Sequence, residues 1–133
     1  MLSLFLPMFV HVLLCAFLYV LLTLARAPAV WNAGGNVPAL SALAARKDRI
    51  SANLSNQFEW PVFFHVICLF NLFQAEITSA AMVLLAWLFI AGRIIHSAVH
   101  IALDNVRLRG LVFTINFVAV FAMWLLQVIY LCW

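Results

Sequence analysis

The sequence predicts an all-α protein, a transmembrane up-down bundle of four helices. Of its 133 residues, 68% are hydrophobic and 8% are charged, whereas soluble domains carry about 25% charged residues. A chain of this size folded in water could not bury so much apolar surface. Its apolar residues also fall in long uncharged runs, and about 20 such residues cross the hydrocarbon core of a bilayer as a helix.

The predicted helices cover residues 4–25, 46–72, 77–103 and 110–132 of one domain spanning residues 1–133. The first and last are the clearest, because they contain no Asp, Glu, Lys or Arg. A cleaved signal peptide is the alternative for the first, but it lacks a positive start and is longer than a usual signal core. The second helix has a polar beginning, and Pro61 is expected to kink it.

The connections predict how the helices are oriented. The first, at 26–45, is rich in Pro and Gly, while those near 73–76 and 104–109 are short turns, so consecutive helices should be antiparallel neighbours. All seven basic residues belong to the side of the first and third connections. The positive-inside rule then places that side in the cytoplasm and both termini outside. The net charge of +3 reflects this topology and indicates no nucleic-acid partner.

Two polar stripes enter the predicted membrane spans. In the second helix Arg49, Asn53 and Asn56 share one face, which Glu59 extends. The third helix and the turn after it carry Arg93, His96, His100, Asp104 and Arg107. Because both polar ends lie on the cytoplasmic side, the stripes should meet in a pocket open to the cytoplasm. An ion pair between Glu59 and Arg93 is expected there, although the start of the first stripe could simply protrude into the cytosol.

The residue types in this pocket indicate a class of ligand. Arginine offers a rigid fork of donors that suits carboxylates, and neighbouring amide side chains can bind peptide groups. A small anionic, peptide-like ligand would therefore fit. If that ligand carries a thiol, a close arginine would lower the thiol pKa below about 8.5 and supply a thiolate at neutral pH.

The stretch 49–61, RISANLSNQFEWP, and the pattern Arg93-x-x-His96-x-x-x-His100 with Arg107 seven residues on resemble the MAPEG family. These are membrane-associated proteins in eicosanoid and glutathione metabolism, and the resemblance covers essentially the whole chain, with most likeness to a bacterial branch. It implies a homotrimer in a bacterial inner membrane, with glutathione as co-substrate at subunit interfaces facing the cytoplasm. The implied activity is that of a glutathione transferase or peroxidase acting on a lipophilic molecule from the bilayer.

The resemblance also implies roles for individual residues. Arg107 would be catalytic, stabilising the glutathione thiolate. The implied glutathione-binding residues are Arg49, Asn53, Asn56, Glu59, Arg93, His96, His100 and Arg26. Two departures from the family pattern stand out: Pro61 follows Glu59 one residue early, and histidines occupy positions 96 and 100, where the eicosanoid and glutathione enzymes often have tyrosines.

Two other functions compete with this interpretation. A non-catalytic protein could keep the fold as a scaffold or as a binder of another anionic metabolite. A metal could be held by His96, His100 and Asp104, but metal ligands are not predicted here. A haem between His65 and His96 is disfavoured because the two residues lie at different depths. His11 is the one histidine of its apolar helix and is expected to be packed or hydrogen-bonded.

Overall fold

The computed structural model describes residues 2–74, 79–103 and 105–132, and the side chains of these from Leu4 onward. Within these ranges the chain forms α1 Leu2–Trp31, α2 Pro38–Ala44, α3 Lys47–Ser55, α4 Pro61–Phe73, α5 Ala80–Ala102 and α6 Val106–Cys132. Residues 75 and 76 of the predicted turn at 73–76, the predicted helix start at 77, and Asp104 lie outside the described residues.

Three of the described helices are long and apolar enough to cross a membrane: Leu4–Trp31 in α1, all of α5 and all of α6. The helix α4 is equally apolar but has only 13 residues. The predicted all-α class is therefore confirmed as three long apolar helices with a shorter one. Together these spans make the chain an integral membrane protein.

The predicted second helix, 46–72, is divided into α3 and α4. Pro61 occupies the first turn of α4, where its missing N–H removes the donor that would bond the Gln57 carbonyl in a continuous helix. Tighter three-residue hydrogen bonds replace the helical ladder on both sides: Phe58 N–H donates to Ser55 O at 3.0 Å and Phe63 N–H to Trp60 O at 3.1 Å. Pro61 thus separates two helices rather than kinking one.

The helices α5 and α6 form the most extensive helix pair. Ser79 caps α5 by accepting from the Met82 N–H at 3.2 Å, and Asn105 accepts from the Leu108 N–H at 3.0 Å where α6 begins. At their crossing the Asn116 side chain lies directly against the Cα of Gly92, in the space that a Cβ would need. Glycine is therefore required there by close approach.

Two apolar clusters form the interior. One joins the start of α1 to α4, α5 and α6, with Phe64 and Phe89 stacked 4.3 Å apart at its centre. The other joins the second half of α1 to α3, through Leu18, Leu22 and Ile50. Buried polar side chains also lie within the bundle, and they form the sites described next.

Candidate functional site

A cavity of about 450 Å³ lies between α3, α5 and the first turns of α6. Its lining residues are Ala52, Asn56, His96, His100, Val106, Arg109, Gly110 and Phe113. A smaller cavity of about 70 Å³ shares His100, Val106 and Arg109 with it, and adds Arg49, Leu103 and Asn105. We call the two cavities together the polar cleft. Its volume falls in the range of small-molecule sites, about 300–1,000 Å³.

Several polar atoms beside the polar cleft are buried without a hydrogen-bond partner. Only 2% of the His96 surface is exposed, yet neither of its ring nitrogens has a partner. Nδ1 of His100 is also buried without a partner, as is Nδ2 of Asn53, which lies in α3 beside Gln57 and Ser97 rather than in the lining of the cleft. Leaving a buried polar group unpaired costs about 1–3 kcal/mol, so a ligand that bonds these atoms would recover that cost.

Arg93 is buried behind the polar cleft, and its hydrogen bonds are made to neutral groups. Its Nε donates to Oε1 of Gln57 and its Nη2 to the carbonyl of Asn56, both at 3.0 Å. Gln57 Nε2 in turn donates to Oγ of Ser97 at 3.1 Å. The expected Glu59–Arg93 ion pair is therefore replaced by Arg93–Gln57, and the Glu59 side chain is exposed.

The structure brings four of the nine predicted site residues to the polar cleft. Arg49, Asn56, His96 and His100 line it, and Asn53 is buried in α3 next to Ser97, whose hydroxyl donates to it at 3.4 Å. These contacts join the polar stripes of α3 and α5. They do not by themselves identify a ligand.

The other predicted residues lie elsewhere in the protomer. Arg93 is part of the network around Gln57, whereas Glu59 and Arg107 are exposed and belong to neither cavity of the polar cleft. Arg26 lines a separate cavity of about 270 Å³ with Lys47, Asp48 and Ser51.

Sequence reasoning missed Arg109, which lines both parts of the polar cleft. Its signal was present: Val106, Arg109, Gly110 and Phe113 follow at i, i+3, i+4 and i+7, one face of a helix that begins at Val106. It also missed Gln57 as the partner of Arg93. His11 is hydrogen-bonded, as expected, and its partners are Gln57 and His65.

The arrangement suits an anion with hydrogen-bonding groups. A guanidinium, two imidazoles and an amide converge on one cavity, and guanidinium favours carboxylate or thiolate. Among the residues that the structure describes, no group of three or more His, Cys, Asp or Glu side chains is placed to hold a metal ion.

Comparison with known proteins gives one positive result. No curated protein matches the chain, and neither does any solved structure. The model of the MAPEG family matches residues 4–129, nearly the entire sequence and every helix described above. The chain belongs to the MAPEG family, a membrane family of glutathione-related enzymes.

Proposed function

We propose that the polar cleft binds glutathione at the cytoplasmic side of the membrane and presents its thiolate to a lipophilic electrophile. The activity would be that of a glutathione transferase or peroxidase. The observation that carries the proposal is the pair of buried histidines with unpartnered nitrogens, placed beside Arg109 in one cavity. In a family of glutathione-related enzymes, a tripeptide with carboxylates, amides and a thiol is the ligand that this set of donors and acceptors fits.

Each side chain has a proposed task. The Arg109 guanidinium holds the thiolate, because it is the arginine of α6 that lines the cavity. Family position assigns the same task to Arg107, so the two arginines are alternatives for one role. His96, His100 and Asn56 bind peptide groups of glutathione, while Arg49 binds a carboxylate at the narrow end of the cleft.

The chemistry needs no further group from the protein. In a transfer, the thiolate sulfur forms a C–S bond with an electrophilic carbon, and the leaving group departs with its electron pair. In a peroxidase reaction, the thiolate attacks a hydroperoxide oxygen, the O–O bond breaks and an alcohol leaves after protonation. A second glutathione then reduces the sulfenic acid to a disulfide and water. Both reactions gain from the guanidinium, which raises the fraction of thiolate.

The proposed assembly is a homotrimer in a bacterial inner membrane with both termini outside. The distribution of residues among cavities supports a site shared between protomers, since Arg26 lies at a different cavity from the polar cleft. The exposed side chain of Glu59 is likewise available to a neighbouring protomer. In this arrangement both residues bind glutathione across the interface.

Ultraviolet difference absorbance of the detergent-purified protein, titrated with glutathione near neutral pH, tests the proposal. A saturable thiolate band is expected. It should be lost in Arg109→Ala and kept in Arg46→Ala, a matched control on an exposed arginine outside the cleft. Loss of the band in Arg107→Ala alone would transfer the role to Arg107. No band in the unaltered protein, together with no calorimetric binding, would refute glutathione as the ligand.

A second function has its own supporting observation. Glu59, the helix-two carboxylate expected to bind glutathione, is exposed and outside the cleft. A cleft with arginines and no such carboxylate fits a simpler anionic metabolite, bound without catalysis. If calorimetry shows that a dicarboxylate binds and that thiols do not compete with it, this function would be favoured over the enzyme.

A further inference from the structure

A second cavity, of about 350 Å³, lies on the other side of the Gln57 network, between α1 and the α3–α4 break. Its walls are mostly apolar and include Val12, Ala16, Phe58 and Val62. Val12, Phe58 and Val62 are about half exposed, at 53%, 53% and 47%. The cavity therefore opens onto an apolar surface within the spanning part of α1. We call it the lateral cavity.

One edge of the lateral cavity is polar. Gln57, His11 and His65 line that edge and are joined in a chain: His11 Nε2 lies 3.1 Å from Gln57 Oε1, and His11 Nδ1 lies 3.0 Å from His65 Nε2. Polar groups at membrane depth are costly and usually mark a ligand or ion pathway. The polar cleft does not use these imidazoles, so they call for a separate explanation.

The donor and acceptor of each hydrogen bond in the series Arg93–Gln57–His11–His65 follow from Arg93. A guanidinium can only donate, so the oxygen of the Gln57 amide must face Arg93 Nε, and that same oxygen must accept from His11 Nε2. A neutral imidazole has one donor and one acceptor nitrogen. His11 Nδ1 is therefore the acceptor, and His65 Nε2 is the donor to it.

This series of hydrogen bonds leaves His65 with a free lone pair on Nδ1. With its Nε2 hydrogen committed to His11, the Nδ1 of a neutral His65 is an acceptor, and no partner for it occurs among the side chains and backbone that the structure describes. His65 is half-buried and lines the lateral cavity. A molecule in this cavity would thus meet mostly apolar walls, with the His65 acceptor on the polar edge and the side chains of Cys15 and Tyr19 also in the lining.

We propose that the lateral cavity binds a lipophilic hydroxyl compound, a long-chain alcohol or a phenol, from the bilayer, with its hydroxyl donating to His65 Nδ1. The apolar body lies against α1 and α4 and keeps its contact with the membrane interior. Ethers and ketones of the same shape lack the donor and bind less well. The site is independent of the proposed glutathione chemistry and stands whether or not glutathione binds.

Photolabelling of the full-length protein in lipid nanodiscs tests this site. The probe is dodecanol with a diazirine next to the hydroxyl-bearing carbon, and its methyl ether serves as the matched compound. We expect the alcohol to label residues 12–19 and 58–65 about ten-fold more than the ether does, the ratio set by one buried hydrogen bond. Because this comparison uses the unaltered protein, it does not depend on any variant folding.

Variants then test whether His65 is the residue that recognises the hydroxyl group. His65→Phe should reduce labelling by the alcohol to the level of the ether, and Ala16→Phe should reduce labelling by both, because it fills the cavity. Val66→Phe is the matched control, since Val66 is an exposed neighbour of His65 that does not line the cavity. It should leave labelling unchanged.

Two results would overturn the proposal. Equal labelling by alcohol and ether would mean that the cavity is a crevice for hydrocarbon without recognition of a head group. No labelling of residues 12–19 and 58–65 by either probe would mean that the cavity is closed in the membrane, for example by a second copy of the chain. Cross-linking between protomers through the same residues would identify that second case.

Discussion

Gln57 and His96 are buried to the same extent, each with 2% of its surface exposed, but their hydrogen bonding is opposite. The Gln57 oxygen accepts from Arg93 and His11, and its nitrogen donates to Ser97 and to the Asn53 carbonyl. His96 has no partner at either nitrogen. The polar atoms of the Gln57 side chain are paired within the protein, whereas the ring nitrogens of His96 are not.

This contrast separates structural from functional polarity within one bundle. A satisfied buried network rigidifies the helices that it joins, and removing one member exposes the others to the full cost of desolvation. An unsatisfied buried group lowers the stability of the unliganded fold, and a ligand that bonds the group restores that stability. Substitutions in the two regions should therefore affect different measurements.

The largest effect is expected from Gln57→Leu. This change leaves Arg93 Nε and His11 Nε2 buried without their shared acceptor, and the free energy of unfolding should fall by about 3 kcal/mol. Thermal or denaturant unfolding in detergent measures it. The double variant Gln57→Leu/Arg93→Met should recover most of that loss, because it removes the stranded charge. A single variant as stable as the original protein would show that the network contributes little.

A smaller loss is expected from Gly92→Ala. The new methyl group would occupy the position of the Asn116 amide, and overpacking of this kind costs about 1–3 kcal/mol. Asn116 itself has no hydrogen-bond partner, so Asn116→Ala should relieve the clash in the double variant at little cost of its own. Unfolding measurements on the two single variants and the double variant form the test. If the losses of stability in the two single variants simply add in the double variant, the close contact between Gly92 and Asn116 would be contradicted.

The smallest effect on stability is expected from His96→Phe. Because neither ring nitrogen has a partner, stability should change by less than about 1 kcal/mol, while glutathione affinity should drop about ten-fold through loss of one buried hydrogen bond. Calorimetric titration and unfolding are measured on the same preparation. Loss of stability with unchanged affinity would place His96 on the structural side of the comparison.

The sequence predicted the fold class because apolar run length and charge depletion depend on the membrane alone. It also predicted that the polar ends of the second and third predicted helices would meet, since both lie at one depth. The hydrogen bond between His11 and His65, which are 54 positions apart, could not be predicted from the sequence. Periodicity identifies the face on which a residue lies, but it does not identify the side chain opposite.

Arg109 was missed for a related reason. Two residues along a helix correspond to a rotation of about 200°, so Arg107 and Arg109 point in nearly opposite directions. Which of them faces the cleft depends on where α6 begins, and helix boundaries are the least predictable part of a sequence. The division before Pro61 was missed similarly. A proline at that position fits both a kinked helix and the first turn of a new one.

The shortness of α4 has a consequence for the surrounding bilayer. A helix of 13 residues rises about 20 Å, roughly 10 Å less than the hydrocarbon thickness. Lipids beside this helix must thin, or the aqueous phase must descend to the turn that precedes Pro61. In the second case water reaches the break between α3 and α4, next to the Asn56 carbonyl that accepts from Arg93. A soluble ligand and a lipid-dissolved one can then approach the same protein at the same depth.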